Sequence, residues 1–79
     1  MANFLNIGFG NFINADKIVA MITPDSAPAK RLVQKAKEES TIIDATQGRR
    51  TRAVIITEQG GVVLSSLLPD TLSGRMKDV

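Results

Sequence analysis

A chain of 79 residues is read as one small domain, residues 1–79, and without a single cysteine it has neither a disulfide nor a thiolate zinc site to staple its limited core. Ten basic and eight acidic residues leave a net charge of +2, too little to argue for nucleic acid from total charge alone. There is no histidine, cysteine, tyrosine or tryptophan, so the usual proton shuttle and the best side-chain nucleophile are missing and an enzyme is not expected.

The N-terminal "FLNIGF" (4–9) alternates apolar with polar or small residues and reads as a strand. Gly8, Gly10 and Asn11 suggest that this strand bends into a turn, or that another chain approaches closely there. The stretch preceding "FLNIGF" has no basic region, and no apolar run nears the roughly eighteen residues of a membrane span, so a cytoplasmic protein with no membrane contact is expected. "KIVAMI" (17–22) is a second strand, stopped by Thr23 and Pro24. The period then changes. Asp25 or Ser26 can cap a helix whose first turn tolerates Pro28, and Ala29, Leu32, Val33 and Ala36 form its buried stripe, with Lys30, Lys35 and Lys37 facing largely away.

"TIIDA" (41–45) is a third strand, and "RAVIIT" (52–57) and "VVLSSL" (62–67) flank "EQGG", a hairpin turn. Pro69 and Asp70 open a short helix at about 69–77. The sum is an α+β domain, β-β-α-β-β-β-α, with a five-stranded, mostly antiparallel sheet and two helices. "AVII" and "IVAMI" are apolar at both parities, which implies cover on both faces. One longer and one short helix do not cover both faces of five strands, so a second copy of the chain is expected to help and the protein to be a homo-oligomer.

"DATQGRRTRA" (44–53) concentrates Arg49, Arg50 and Arg52 within four positions, and no acid lies between Ala45 and Thr57. Three guanidiniums this close repel one another unless an anion is present, and their planar forks match phosphate or the O6 and N7 of guanine. Gly48 allows the backbone to turn so that Arg49 and Arg50 project, while Thr46, Gln47 and Thr51 add uncharged donors. Asp44 is expected to orient an arginine or to cap a turn. The bland reading is a solvated loop of weak surface ion pairs. Anion binding is preferred, with nucleic acid the leading ligand. The other candidates fall away. "IGFGN" lacks the third glycine and helix start of a dinucleotide loop and the Gly-Lys-Ser/Thr of a P-loop, and Asp16, Asp25 and Asp44 lack metal-ligand spacing. No cofactor or metal is expected. Ser65 and Ser66 have no histidine base, and Glu38 and Glu39 read as a solvated helix end.

"NIGFGN", "SAPAKR", "IDATQGRRTRAVI" and "VVLSSLLP", running from about Asn6 to Pro69, resemble the RemA family of extracellular matrix regulatory proteins. The resemblance implies a bacterial DNA-binding transcription regulator that activates biofilm-matrix genes. It also implies a fold similar to the LytTR-type DNA-binding domain, and a closed ring, larger than a dimer, that presents many copies of a basic surface to double-stranded DNA. The family's arginine pair falls on Arg49 and Arg50, and a further basic position falls on Lys17, where arginine is replaced by a charge without the bidentate fork. Arg52 is a further candidate, facing either DNA or a neighbouring subunit. Gln47 stands where some members have tyrosine, and "EEST" lacks the glycine that often ends the first helix. The alternative is an oligomeric scaffold whose basic surface binds RNA, an acidic protein or a phosphorylated ligand.

Overall fold

A computed structural model describes residues 3–76, so position 77 of the expected last helix and the extreme ends of the 1–79 domain lie outside the described residues. The first element, β1 (Phe4–Gly8), turns back on β2 (Asn11–Asn14) as an antiparallel hairpin. The turn runs through three residues of positive φ: Gly8 at 107°, Phe9 at 54° and Gly10 at 76°. A single 3₁₀ turn, Ala15–Lys17, leads into β3 (Ile18–Ile22) and then α1 (Ala27–Glu38). The strands β4 (Ile42–Asp44), β5 (Ala53–Thr57) and β6 (Val62–Ser65) follow, and α2 (Pro69–Met76) closes the described chain.

The expected single five-stranded sheet is not what forms. Among the described residues there are six strands, two in the β1–β2 hairpin and four in a sheet of order β3-β5-β6-β4. The missed strand is β2, "NFIN". It is short and half asparagine, a residue that favours turns, and its only inward apolar residue is Ile13, opposite Leu5. Within the larger sheet β3–β5 and β5–β6 are antiparallel, whereas β4 lies parallel to β6 because α1 carries the chain across before β4 begins.

The chain itself covers both faces of β5 and β6. On one face Ala53, Ile55, Val63 and Ala45 meet Leu5 and Ile7 of the hairpin and Leu72 of α2. On the other, Val54, Val62 and Leu64 meet Ala36 and Val33 of α1. The hairpin thus acts as the third layer that the helices alone do not supply. Leu5, Ile55 and Leu72 are essentially fully buried, and each contributes about 1.5–3 kcal/mol relative to an exposed side chain. The large apolar side chains left exposed include Phe4 and Phe12 on the outer face of the hairpin, Phe9 at its tip, and Val19 and Ile43 on the two edge strands β3 and β4. No helix among the described residues is long and apolar enough to cross a membrane.

Of the two candidate caps, Ser26 takes the role: its hydroxyl accepts the Ala29 N–H at 3.2 Å. Ala29 and Ala36 are buried and Val33 is half-buried, but Leu32 sits on the flank of the stripe and is exposed. The helix ends in a Schellman-type hook. Thr41 N–H donates to the Ala36 carbonyl at 2.9 Å and Ser40 N–H to Lys37 at 3.3 Å, with Ser40 at a φ of 56°. That is the position at which glycine usually ends a helix. Ser40→Gly is therefore expected to stabilise the domain by about 1 kcal/mol, raising Tm by roughly 4–8 °C. A thermal melt of the variant that falls below wild type would show that Ser40 has a compensating contact.

Candidate nucleic-acid interface

The sheet order forces the connection from β4 to β5 to cross the end of β6. At one foot of this arch Ala45 N–H donates to the Leu64 carbonyl at 3.0 Å, and at the other Arg52 N–H donates to Ser65 at 2.9 Å. Between them Thr46 to Arg49 form a tight turn, closed by Arg49 N–H on the Thr46 carbonyl at 3.0 Å. Both central residues have positive φ, Gln47 at 53° and Gly48 at 79°, as a type I′ turn requires. Nothing crowds the space beside Gly48, so its value lies in the backbone conformation alone.

Asp44 anchors this turn, and its carboxylate goes to Thr46 and not to an arginine. One oxygen accepts the Thr46 N–H at 2.9 Å and the Thr46 hydroxyl at 2.6 Å. Thr46 itself is buried. The hydroxyl bond, then the amide bond, hold the Asp44 carboxyl below its ordinary value of 3.8, opposed by burial and aided least by the charge of Lys37. A carboxyl depressed in the folded state stabilises above its unfolded value, and that contribution disappears as pH falls through the folded value. Wild type is thus expected to lose stability faster than Asp44→Asn as pH drops below about 4. Parallel Tm–pH curves for the two proteins would refute this.

The hairpin tip abuts the arch. The Ser65 hydroxyl is buried; it donates to the Ile7 carbonyl at 2.8 Å and accepts the Leu67 N–H at 3.1 Å. One residue thus holds β1 through its side chain and Arg52 through its backbone. Across this junction Arg49, Arg50 and Arg52 line one open groove of about 410 Å³ with Phe9 and Ser66. All three arginines are exposed. The only ion pair among the described residues is Lys17–Glu58, so none of their carboxylates lies within 4.0 Å of these guanidiniums.

Lys17 is not part of this cluster. It precedes β3, where Ile18 faces Thr57 at the far end of β5 from Ala53, and its Nζ lies 3.6 Å from the Glu58 carboxylate with both side chains exposed. Such a pair is weak and exchangeable, worth about 1 kcal/mol at most. Gly8 and Gly10 belong to the hairpin tip, beside the groove.

Four contributors escaped the sequence. Ser65 looked like a nucleophile without a base and is a buried strut. Phe9 looked like the end of a strand and lines the groove. Lys30 and Lys37 line a second groove with Pro24 and Thr51. It adjoins a smaller one, lined by the same Pro24 and Thr51 together with Arg50 and Arg52. The basic surface therefore continues from the arch onto α1. Only the spacing of Lys30 and Lys37, two helical turns apart on one side, hinted at this.

Comparison with known proteins identifies the family. A family model described as "Extracellular matrix regulatory protein A-like" matches residues 4–76. A protein of Geobacillus thermodenitrificans is 51% identical over 76 residues, covering 96% of this chain and 87% of its own length. One from Halothermothrix orenii is 51% identical over 74 residues, 94% of this chain and 88% of its own length. A third, from Caldicellulosiruptor saccharolyticus, is 53% identical over 72 residues, 91% of this chain and 71% of its own length. All three carry the name "Putative regulatory protein", which points to regulation and not to catalysis. With a family model spanning nearly every described residue and relatives at this level of identity, the chain belongs to the RemA-like family.

Proposed function

We propose that the protein is a transcription regulator that binds double-stranded DNA through the arginine arch and does so as a closed ring of identical subunits. The observation that carries this reading is the groove in which Arg49, Arg50 and Arg52 converge with no carboxylate partner among the described residues. Three mutually repelling charges held by a hydrogen-bonded turn are a site prepared for an anion. The groove is open and continues toward Lys30 and Lys37, which suits a polymer of phosphates better than a single small phosphorylated ligand. Type I′ turn geometry and backbone anchors fix where the guanidiniums start, as positioning contacts to a phosphate backbone require.

Self-association is supported by the apolar residues that the fold leaves bare. Val19 and Ile43 lie on opposite edges of the sheet. A contact joining one edge to the other edge of the next copy unites unlike surfaces, and such head-to-tail contacts close into rings when the rotation allows. On this reading the domain serves as a LytTR-like DNA-binding module in the cytoplasm, and the genes under control are those of the extracellular matrix for which the family is named.

The test is a titration of duplex DNA against double-stranded RNA of equal length at several salt concentrations. Salt-dependent binding that favours DNA supports the reading. Equal or stronger binding to RNA, or none to either, overturns it in favour of a scaffold whose basic surface meets RNA or an acidic protein.

A further inference from the structure

We infer that Phe9 is a DNA-contacting wedge, an aromatic ring that enters the minor groove beside the arginines and partly unstacks a base step. This rests on the DNA-binding reading above and adds to it a residue with a different job.

Phe9 is unexpected on three counts. It is a bulky residue at a φ of 54°, a conformation that L side chains rarely adopt and that glycine or asparagine fill more easily. It is 49% exposed and belongs to neither buried apolar cluster, although Ile7 and Ile13 of the same hairpin pack into one. And it shares its groove with Arg49, Arg50, Arg52 and Ser66. Folding gains little from an aromatic ring placed there, so the ring is explained by what it touches outside the chain.

The backbone of the tip is also fixed beside the ring. Gly8 lies against Leu67 and Ser66, whose side-chain atoms come within 3.6 Å of where its Cβ would stand, and the Gly8 carbonyl accepts the Asn11 side-chain amide at 3.0 Å. The Gly8 N–H in turn donates to Asn6 Oδ1 at 2.9 Å. An apolar tip flanked by cations matches one feature of a duplex, its minor groove. There phosphates flank apolar sugar and base edges, arginine is drawn to the negative potential, and phenylalanine wedges part stacked steps.

The experiment uses the full chain and two duplexes of about 30 base pairs, one interrupted by TpA steps, which unstack easily, and one built of A-tracts, which resist. Affinity and salt slope are measured for wild type, Phe9→Ala, Phe9→Leu, Phe9→Asn and Arg50→Ala. Wild type is expected to prefer the TpA duplex. Phe9→Ala and Phe9→Asn are expected to lose about tenfold on that duplex, and with it the preference, while the salt slope is unchanged. Phe9→Leu should retain most of the preference, since an aliphatic wedge also enters. Asparagine suits the positive φ, so Phe9→Asn should melt no lower than wild type. If Phe9→Asn binds both duplexes as wild type does, the ring makes no contact and the inference falls while the arginine site stands. An equal loss on both duplexes also overturns it, because the ring then touches DNA without wedging. If wild type binds neither duplex, the DNA reading and the wedge fall together.

Discussion

Arg50→Ala is expected to remove most duplex binding while the melting temperature and the size of the assembly stay at their wild-type values. Arg50 is exposed and has no ion-pair partner among the described residues. It sits where the main groove meets the smaller one, so its removal interrupts the basic track at its midpoint. Nothing in the packing depends on it, because the arch is held by Asp44, Thr46 and the two backbone bonds to β6. Each phosphate that is no longer neutralised should flatten the log–log salt slope by about 0.9 per subunit engaged. Arg50→Lys is the instructive companion. It keeps the charge and loses the fork, so partial recovery would assign Arg50 to phosphate attraction, and no recovery would assign it to bidentate recognition. Gel shift, thermal melting and light scattering on the same samples decide the matter. A variant that unfolds or dissociates would make Arg50 structural and would return the site to the bland reading of the loop.

The second large effect concerns how a modest basic surface binds at all. Arg49, Arg50, Arg52, Lys30 and Lys37 on one subunit neutralise at most about five phosphates, a salt slope near −4.5. A lone subunit should therefore bind in the weak range of non-specific contacts. A ring repeats the site, and DNA touching several copies gains effective concentration with no new type of contact. Straight DNA reaches only a few neighbouring copies. Bending 20–30 base pairs along the ring engages more, at a cost of about 1–6 kcal/mol that flexible sequences reduce. The expected results are a homo-oligomer larger than a dimer by light scattering, a slope steeper than about −4.5, and binding that strengthens sharply with duplex length. A monodisperse monomer at micromolar concentration would remove the ring. A slope no steeper than the single-subunit value, with no dependence on length, would show that each copy acts alone.

The sequence by itself determined the elements whose signals are local. The apolar stripe and the Ser26 cap marked α1, the turn residues at 58–61 marked the β5–β6 hairpin, and the density of Arg49, Arg50 and Arg52 marked the anionic-ligand candidate. Each depends on residues within a few positions of one another, so periodicity and turn chemistry suffice. The tertiary structure alone decided which distant pieces meet. β2 was hidden because a four-residue strand of mixed polarity is stabilised by its partner β1 and by burial of Ile13, not by its own propensity. The same hairpin covers one face of β5 and β6. Lys17 and the arginines are all basic, yet β5 lies between Lys17's end of the sheet and theirs, because an antiparallel pairing sends the chain's two ends of that strand apart. Phe9 is far from Arg50 in the chain yet lines one groove with it, Ser65 bonds to Arg52, and Lys30 lines a groove with Thr51. What joins them is the order β3-β5-β6-β4, which makes the β4–β5 arch cross β6 beside the hairpin tip, and strand order is a property of long-range packing that no local pattern encodes.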